Sequence, residues 1–212
     1  MKVFADRREA GKLLGERLQR YRGKAVVLAL PRGGVETGVE VARALDAPLG
    51  LVMARKIGHP MNPEYAVCAV TETGPLVCDE FERADVDPVW LRQAEMAERL
   101  EAKRRYTVYL EGREPIDPAG KVAVVVDDGI ATGLTMQAAL AEVRAWNPER
   151  IIVAVPVAPR EAANDLLEIA DEAVVLESGE LFLGAISAYY QSFPQLTDEE
   201  VLALLDELEP PG

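Results

Sequence analysis

The sequence predicts an α/β fold in which a mostly parallel central sheet is flanked by helices. Apolar runs without polar alternation recur along the 212-residue chain, and segments with helical periodicity separate them. Strands of this kind must be covered on both faces, which is typical of parallel sheets. Two of the runs end in glycine-containing turns, LPRGGV and DDGIATG. Ligands of such sheets bind beyond the carboxyl ends of the strands, so the two turns predict one site.

The first part of the chain alternates helices and strands. Asp6 is the predicted N-cap of a helix over 7–21, because apolar residues recur there on one face. AVVLAL (25–30) and LGLVMA (49–54) are predicted strands, and PRGGVETGVEVARALD enters a helix between them. The predicted buried face of the first helix contains Ala10, Leu13, Leu14, Leu18 and Tyr21, and that of the second contains Val35, Val39, Ala42 and Leu45.

The segment that follows is rich in loop formers and charges. RKIGHPMNPEY (55–65) precedes two short strand candidates, AVCAV and PLVC, so we expect residues 57–80 to form a mobile flap. Asp87 and Pro88 are the predicted N-cap and first residue of a long charged helix over 88–105. The residues predicted to face inward from this helix are Trp90, Ala94, Ala97 and Leu100.

The C-terminal half continues the alternation. AGKVAVVVDD is a predicted strand, and a helix over 133–146 follows it. RIIVAVPV and EAVVLE are two further strands, separated by a helix after Pro159. Thr197 and Glu200 have the spacing of a capping box, which predicts the start of the last helix.

The chain is strongly acidic. Its 23 Lys and Arg residues against 36 Asp and Glu residues give a formal net charge of -13. This charge argues against a surface that neutralises nucleic-acid phosphates or lies on anionic lipid. The N-terminus lacks the apolar core of a signal peptide, and no apolar run approaches the ~20 residues of a membrane span. We therefore expect a cytoplasmic protein with no nucleic-acid partner and no membrane partner.

The sequence offers few residues for a disulfide framework or a zinc site. Cys68 and Cys78 are the two cysteines, they do not form a CxxC motif, and His59 is the single histidine. We expect both cysteines to be buried thiols.

The segment VVVDDGIATGLTM (124–136) joins an apolar strand to a helix. Adjacent Asp127 and Asp128 at the end of a buried strand cost free energy unless hydroxyls, donors or a cation compensate. Residues 130–135 can direct backbone N–H groups and the Thr132 and Thr135 hydroxyls at a phosphate. Ionised carboxylates accept hydrogen bonds from vicinal hydroxyls, so the segment fits a ribose 5-phosphate. A tight turn with no ligand is the alternative, and neither a GxxxxGK[ST] nor a GxGxxG spacing is present.

This segment resembles the signature of the type I phosphoribosyltransferases. In that family, two acidic residues bind the ribose diol of 5-phosphoribosyl 1-diphosphate (PRPP), and the next loop binds its 5′-phosphate. The resemblance assigns the diol to Asp127 and Asp128. It assigns the 5′-phosphate to Gly129, Ile130, Ala131, Thr132, Gly133, Leu134 and Thr135.

Two upstream motifs support the resemblance. LPRGG resembles the pyrophosphate loop of the family, which implies pyrophosphate binding by Pro31, Arg32, Gly33 and Gly34, with a non-proline cis peptide bond from Pro31 to Arg32. ARKIG resembles the basic pair of the family and implies that Arg55 and Lys56 approach the same diphosphate. By themselves, Arg32, Gly33 and Gly34 fit an exposed turn equally well, and Arg55 and Lys56 fit a solvated strand end better than a binding site.

The resemblance implies Mg²⁺-dependent transfer of the 5-phosphoribosyl group from PRPP to a nitrogenous base or amine, with release of pyrophosphate. Asp127, Asp128, Arg55 and Lys56 are the implied catalytic residues. Mg²⁺ would bind mainly through substrate oxygens, with the two aspartates as possible protein ligands. The flap would exclude water, and it contains His59 and Glu64 as weaker acid or base candidates.

The same resemblance suggests how the chain is organised. One domain over 1–212 would consist of a core over about 1–156, which includes the flap and the helix over 88–105, and a hood over about 157–212. Leu181 and Phe182 of the hood are candidates for the acceptor pocket or for the core, whereas Tyr189, Tyr190 and Phe193 are expected to brace the hood.

Departures from the family pattern bear on the acceptor. Ala131 and Ala188 stand where enzymes for 6-oxopurines carry acidic residues, and no lysine follows Lys121, so a 6-oxopurine acceptor is disfavoured. The signature residues imply binding of PRPP but do not imply its catalytic turnover. A non-catalytic PRPP-binding regulator is therefore the alternative function, and transfer to water or phosphate is a third. A homodimer is left open.

Overall fold

The computed structural model describes residues 3–178 and 182–208, apart from the side chain of Glu64. The strands are β1 (Ala25–Ala29), β2 (Leu49–Leu51), β3 (Arg55–His59), β4 (Asn62–Val70), β5 (Val77–Cys78), β6 (Val122–Val126), β7 (Arg150–Val157) and β8 (Glu172–Glu177). The helices are α1 (Arg7–Arg17), α2 (Gly33–Leu45), α3 (Glu80–Ala84), α4 (Pro88–Tyr109), α5 (Leu134–Ala145), α6 (Arg160–Leu166) and α7 (Asp198–Asp206).

A five-stranded parallel sheet in the order β2-β1-β6-β7-β8 forms the centre of the fold. The strands β1 and β6 are buried along their whole length, as their continuous apolar sequence predicts. Val26 and Leu28 of β1 face a cluster that includes α5, whereas Val27 faces Leu14 of α1 and Val41 of α2. The predicted α/β class, with helices on both faces of a parallel sheet, is therefore confirmed.

The first predicted helix is present in two pieces. Asp6 caps α1 by accepting a hydrogen bond from the backbone N–H of Glu9, as expected, but the α-helix ends at Arg17. A short 3-10 turn, Gln19–Tyr21, completes the predicted length. The predicted strand over 49–54 is shorter than expected, because β2 ends at Leu51.

The segment 55–65, which is rich in residues that favour loops, is mostly regular strand. The strands β3, β4 and β5 form a second, antiparallel sheet in that order. His59 pairs with Asn62, which leaves Pro60 and Met61 as a two-residue hairpin turn. Gly58, Asn62 and Pro63 favour loops but lie within β3 and β4, so composition alone did not reveal that this segment is mainly strand.

The two cysteines form a disulfide bond, so the expectation of buried thiols is wrong. Cys68 lies on β4 and is fully buried, and Cys78 lies directly opposite on β5. Antiparallel pairing brings side chains of opposite residues close together, even when they are 10 residues apart in sequence. The number and spacing of the cysteines do not reveal the register in which β4 pairs with β5.

The long helix α4 begins as predicted, with Asp87 as its N-cap and Pro88 as its first residue. Its inward face differs from the expectation, because Ala97 and Leu100 are exposed. Its fully buried residues are instead Leu91, Ala102 and Tyr109. Trp90 and Ala94 pack against a core cluster as predicted, so periodicity placed the first half of the inward stripe correctly and the second half wrongly.

The C-terminal elements follow the predicted order. The strand β8 lies in the range predicted for the hood and is nevertheless the edge strand of the main sheet. Thr197 and Glu200 form the predicted capping box of α7. Among the described residues, none of the helices combines the length and the apolarity needed to cross a bilayer.

Candidate active site

Asp127 and Asp128 directly follow β6, at the carboxyl edge of the main sheet. The parallel strand order places this edge beside the start of α2, which follows β1. Oδ1 of Asp127 accepts a hydrogen bond of 2.8 Å from the backbone N–H of Asp128. The hydroxyl of Tyr190, from the C-terminal segment, donates a bond of 2.6 Å to the carbonyl oxygen of Asp128. The acidic pair is thus held by the sheet and the C-terminal segment together.

Arg7 is a site residue that the sequence analysis missed. Its Nε donates a hydrogen bond of 2.7 Å to Oδ2 of Asp128, although 121 residues separate the two in sequence. The guanidinium is buried, with 5% of the side chain exposed. One signal was present in the sequence: Arg7 precedes Ala10 and Leu14 at helical spacing, which places it on the buried face of α1.

The surroundings change the protonation of the acidic pair. Burial raises the pKa of Asp127 well above its ordinary value, and the negative charge of Asp128 raises it further. Burial also raises the pKa of Asp128, whereas the Arg7 guanidinium acts in the opposite direction. The hydrogen bond from Arg7 thus favours the charged form of Asp128.

The predicted pyrophosphate loop lies against the acidic pair. A Cβ atom built on Gly33 would lie 1.8 Å from Oδ2 of Asp128, and one built on Gly34 would lie 2.9 Å from Oδ1 of Asp127. Both positions therefore require glycine for close approach. The peptide bond from Pro31 to Arg32 is cis, as the resemblance implied. The two glycine-bearing turns of the sequence thus meet at one place in the fold.

A cleft of about 340 Å³ opens at this place. Both aspartates line it, together with most of the loop that connects them to α5. From that loop the lining residues are Gly129, Ile130, Ala131, Thr132, Gly133 and Thr135. Leu134 is the exception among the residues predicted to bind phosphate, because its side chain is buried against Ala66, Ala69 and Ala138.

The three predicted cations are not brought together at the cleft. Lys56 lines it from β3. Arg55 precedes it on the same strand and therefore points to the opposite face, where its Nε donates a bond of 2.7 Å to Glu98 of α4. Arg32 forms an ion pair of 3.7 Å with Asp198 of α7.

Comparison with known proteins assigns the family. Residues 5–182 match the model of the phosphoribosyl transferase domain. The chain belongs to this family. The match covers the strands, the glycine-bearing turns and the acidic pair, and it includes Arg7.

Relatives agree with this assignment. Two proteins of Mycobacterium tuberculosis, from strains CDC 1551 and H37Rv, are each named "Putative phosphoribosyl transferase" and are 41% identical over 209 residues. The match covers 97% of this chain and 47% of each relative, so the chain spans about half the length of these curated relatives. The crystal structure of TT1426 from Thermus thermophilus is 43% identical with a TM-score of 0.80, covering 98% of this chain and 99% of that chain.

The C-terminal segment of this phosphoribosyl transferase domain contributes Ile186 to the cleft, and a Cβ atom on Gly129 would lie 2.5 Å from Cγ2 of Ile186. Phe182, a predicted acceptor-pocket residue, instead stacks on Tyr189 at 5.8 Å between ring centroids. Its counterpart Leu181 lies outside the described residues. Tyr189 and Tyr190 are buried in the same aromatic cluster.

Of the two weaker acid or base candidates, His59 lies outside the cleft. His59 accepts a hydrogen bond of 3.2 Å at Nδ1 from the backbone N–H of Met61, within the hairpin turn. It does not line the cleft with Lys56 and the aspartates. The side chain of Glu64 lies outside the described part of the chain.

The phosphoribosyl transferase site contains few side chains that could coordinate a metal ion. Across residues 3–178 and 182–208, no group of three or more His, Cys, Asp and Glu side chains could hold a metal ion. Two adjacent carboxylates match a different kind of Mg²⁺ site, in which one or two carboxylates supplement substrate phosphates. Asp127 and Asp128 therefore fit a metal that arrives with a phosphorylated substrate.

Proposed function

We propose that this domain transfers the 5-phosphoribosyl group from PRPP to a nitrogenous acceptor, a base or an amine, with release of pyrophosphate and dependence on Mg²⁺. The observation that carries the proposal is the composition of the cleft, where the acidic pair lies beside the loop over 129–135. Membership of the phosphoribosyl transferase domain family supports it.

The cleft offers a phosphate-binding loop and hydroxyl-binding carboxylates side by side, and a ribose 5-phosphate carries both groups. The loop over 129–135 leads into the N-terminus of α5, which no side chain of the described residues caps, so the first backbone N–H groups of the helix and its dipole favour a 5′-phosphate. The preceding carboxylates accept hydrogen bonds from ribose hydroxyls. Lys56 of β3 lines the cleft, and its ammonium charge would attract the diphosphate.

The proposed reaction is a displacement at C1 of the ribose. The bond from C1 to the diphosphate oxygen breaks and its electron pair leaves with the diphosphate, while the acceptor nitrogen forms the new bond to C1 and later loses a proton. Asp127 and Asp128 stabilise positive charge on the ring, and Lys56 stabilises negative charge on the leaving group. A bound Mg²⁺, held by substrate oxygens and these aspartates, would neutralise diphosphate charge.

The lining of the cleft bears on the acceptor. Ala131 and Ile186 contribute apolar side chains to this lining. No acidic side chain is available at Ala131 or Ala188 to accept a hydrogen bond from a purine ring nitrogen. We therefore propose an acceptor other than a 6-oxopurine.

The test is acceptor-dependent release of pyrophosphate. The full chain is incubated with Mg²⁺, PRPP and a panel of bases and amines, beside Asp128→Asn and the control Asp165→Asn. Asp165 is exposed on α6, away from the cleft. Release by wild type and by the control, but not by Asp128→Asn, supports the proposal.

The remaining outcomes discriminate the alternatives. PRPP binding without release for any acceptor contradicts the transferase and supports a non-catalytic PRPP-binding regulator. Release that needs water or inorganic phosphate alone identifies a hydrolase or a phosphorylase. Absence of PRPP binding contradicts all three.

A further inference from the structure

Arg7 connects three parts of the molecule that are far apart in sequence. Its Nε bonds to Oδ2 of Asp128 at 2.7 Å, and its Nη1 donates a bond of 2.8 Å to the carbonyl oxygen of Pro194. The guanidinium lies 3.7 Å from the ring centroid of Phe193. Glu36 of α2 completes the surroundings with an ion pair of 3.8 Å. One side chain of α1 thus joins the acidic pair, α2 and the C-terminal segment.

Burial makes this arrangement specific. A buried cation is stable only when its partners compensate for lost hydration, and removal of one partner leaves an uncompensated charge. The contacts of Arg7 use the planar, forked geometry of the guanidinium, because one donor is directed at Asp128, another at Pro194, and the flat face at Phe193. Lysine carries the same charge but cannot reproduce these three contacts at once.

The carboxylate of Asp128 is restrained from several sides. Arg7 holds Oδ2, the backbone of Gly33 lies directly against the same oxygen, and Tyr190 holds the carbonyl group of Asp128. The ionisable groups around the Asp128 carboxylate are Arg7, Glu36, Asp127 and Tyr190. Lys56 lines the same cleft. These contacts set the position of the second carboxylate oxygen of Asp128. A ligand hydroxyl would donate its hydrogen bond to this second oxygen.

We propose that Arg7 is a positioning residue for sugar recognition, which holds the Asp128 carboxylate where it meets a ribose hydroxyl. This inference rests on the proposed function, because it takes a phosphorylated ribose as the ligand. Arg7 does not line the cleft and acts through Asp128. Its removal should therefore affect the sugar and leave the phosphate contacts intact.

The experiment measures how much the sugar adds to phosphate binding. Dissociation constants for inorganic phosphate and for ribose 5-phosphate are obtained by NMR titration without metal. The sugar increment is the constant for phosphate divided by the constant for ribose 5-phosphate. Wild type is compared with Arg7→Gln, Arg7→Lys and the matched control Arg8→Gln. Arg8 neighbours Arg7 on α1 and shares the distant ion pair with Glu36, but its hydrogen-bond partners are Glu40 and Glu207 rather than Asp128.

The expected result is selective. Arg7→Gln should lower the sugar increment by about tenfold, the contribution of one hydrogen bond to a charged group, with phosphate affinity unchanged. Arg7→Lys should lie between Arg7→Gln and wild type, and Arg8→Gln should match wild type. A purely structural role would weaken both ligands equally and would overturn the proposal.

Other outcomes are equally decisive. A sugar increment that survives in Arg7→Gln overturns the role of Arg7 and leaves the proposed function intact. A wild type that binds ribose 5-phosphate no better than phosphate overturns the diol site and the role of Arg7 together. Should Arg7→Gln fail to fold, the same comparison is made with Arg7→Lys, and an unchanged increment there overturns the proposal.

Discussion

Gly33 and Asp128 are in such close contact that a Cβ atom on Gly33 would lie 1.8 Å from Oδ2 of Asp128. The substitution Gly33→Ala must therefore displace either the carboxylate or the start of α2. We expect a loss of stability of about 1–3 kcal/mol from overpacking. We also expect weaker PRPP binding, because the displaced carboxylate belongs to the acidic pair. Thermal unfolding and calorimetric titration with PRPP measure the two effects.

Gly23→Ala provides the control for this substitution. Gly23 has a positive φ of 70° and no heavy atom within 4 Å of a built Cβ, so alanine is strained there without contacting the site. A stability loss of about 1–2 kcal/mol with unchanged PRPP affinity is expected. Wild-type affinity in Gly33→Ala would contradict the contact with Asp128 as a determinant of the site.

The two basic residues of β3 should differ in function. Lys56→Gln removes the charge that lines the cleft and should weaken PRPP binding about tenfold or more, the usual loss for a bond to a charged group. Arg55→Gln breaks the ion pair with Glu98 on the opposite face of the strand. It should leave PRPP affinity unchanged and cost at most about 1 kcal/mol of stability. Equal losses of PRPP affinity in both variants would contradict this division.

The disulfide between Cys68 and Cys78 should stabilise the antiparallel sheet. It closes a loop with a sequence separation of 10, for which loss of chain entropy in the unfolded state predicts about 2–3 kcal/mol. Cys78→Ser should therefore lower the unfolding temperature measured without reductant. The gap between wild type and variant should disappear in excess dithiothreitol.

Mass spectrometry after alkylation supplies the control for the disulfide. Wild-type protein that is unfolded without reductant should take up no alkylating agent, since both cysteines of the chain are paired. Modification of two cysteines under these conditions would show free thiols. It would also restore the original interpretation of the sequence.

Much of the main sheet could be predicted from the sequence, because its signals are local. The continuous apolar runs of β1, β6 and β7 require burial on both faces, and this requirement alone specifies the parallel sheet. The helix caps at Asp6, Asp87 and Thr197 were also predictable, since a side chain there bonds to backbone only two or three residues away.

The features that were missed depend on contacts between distant segments. The pairing of Arg7 with Asp128 spans 121 residues, and no local pattern relates the two. The disulfide depends on the register of β4 against β5, which the sequence does not state. Arg55 and Lys56 were predicted to act together because ARKIG resembles the basic pair of the family. Adjacent residues of a strand face opposite sides, so the prediction needed the strand assignment that composition had obscured.

Glu207 should make stability depend on pH in the acid range. Hydrogen bonds from Arg8 and Arg43 lower the pKa of Glu207 from 4.5 to about 2. The folded state therefore keeps the carboxylate charged where the unfolded state takes up a proton, so its stabilisation is complete above about pH 4.5 and is lost as the pH falls to about 2. Glu207→Gln should unfold at a lower temperature than wild type at pH 7, with the difference shrinking between pH 4.5 and 2.

Two comparisons isolate the ion pairs of Glu207 as the cause. Glu16→Gln removes an exposed carboxylate from α1 and should follow wild type throughout the titration. The Glu207 carboxylate is about one-third exposed, with 32% of its side chain accessible, so added salt should screen the ion pairs and reduce the difference at pH 7. A difference between wild type and Glu207→Gln that persists unchanged at pH 2 would instead assign the destabilisation to lost packing of α7 against α2, because packing does not depend on the charge of Glu207.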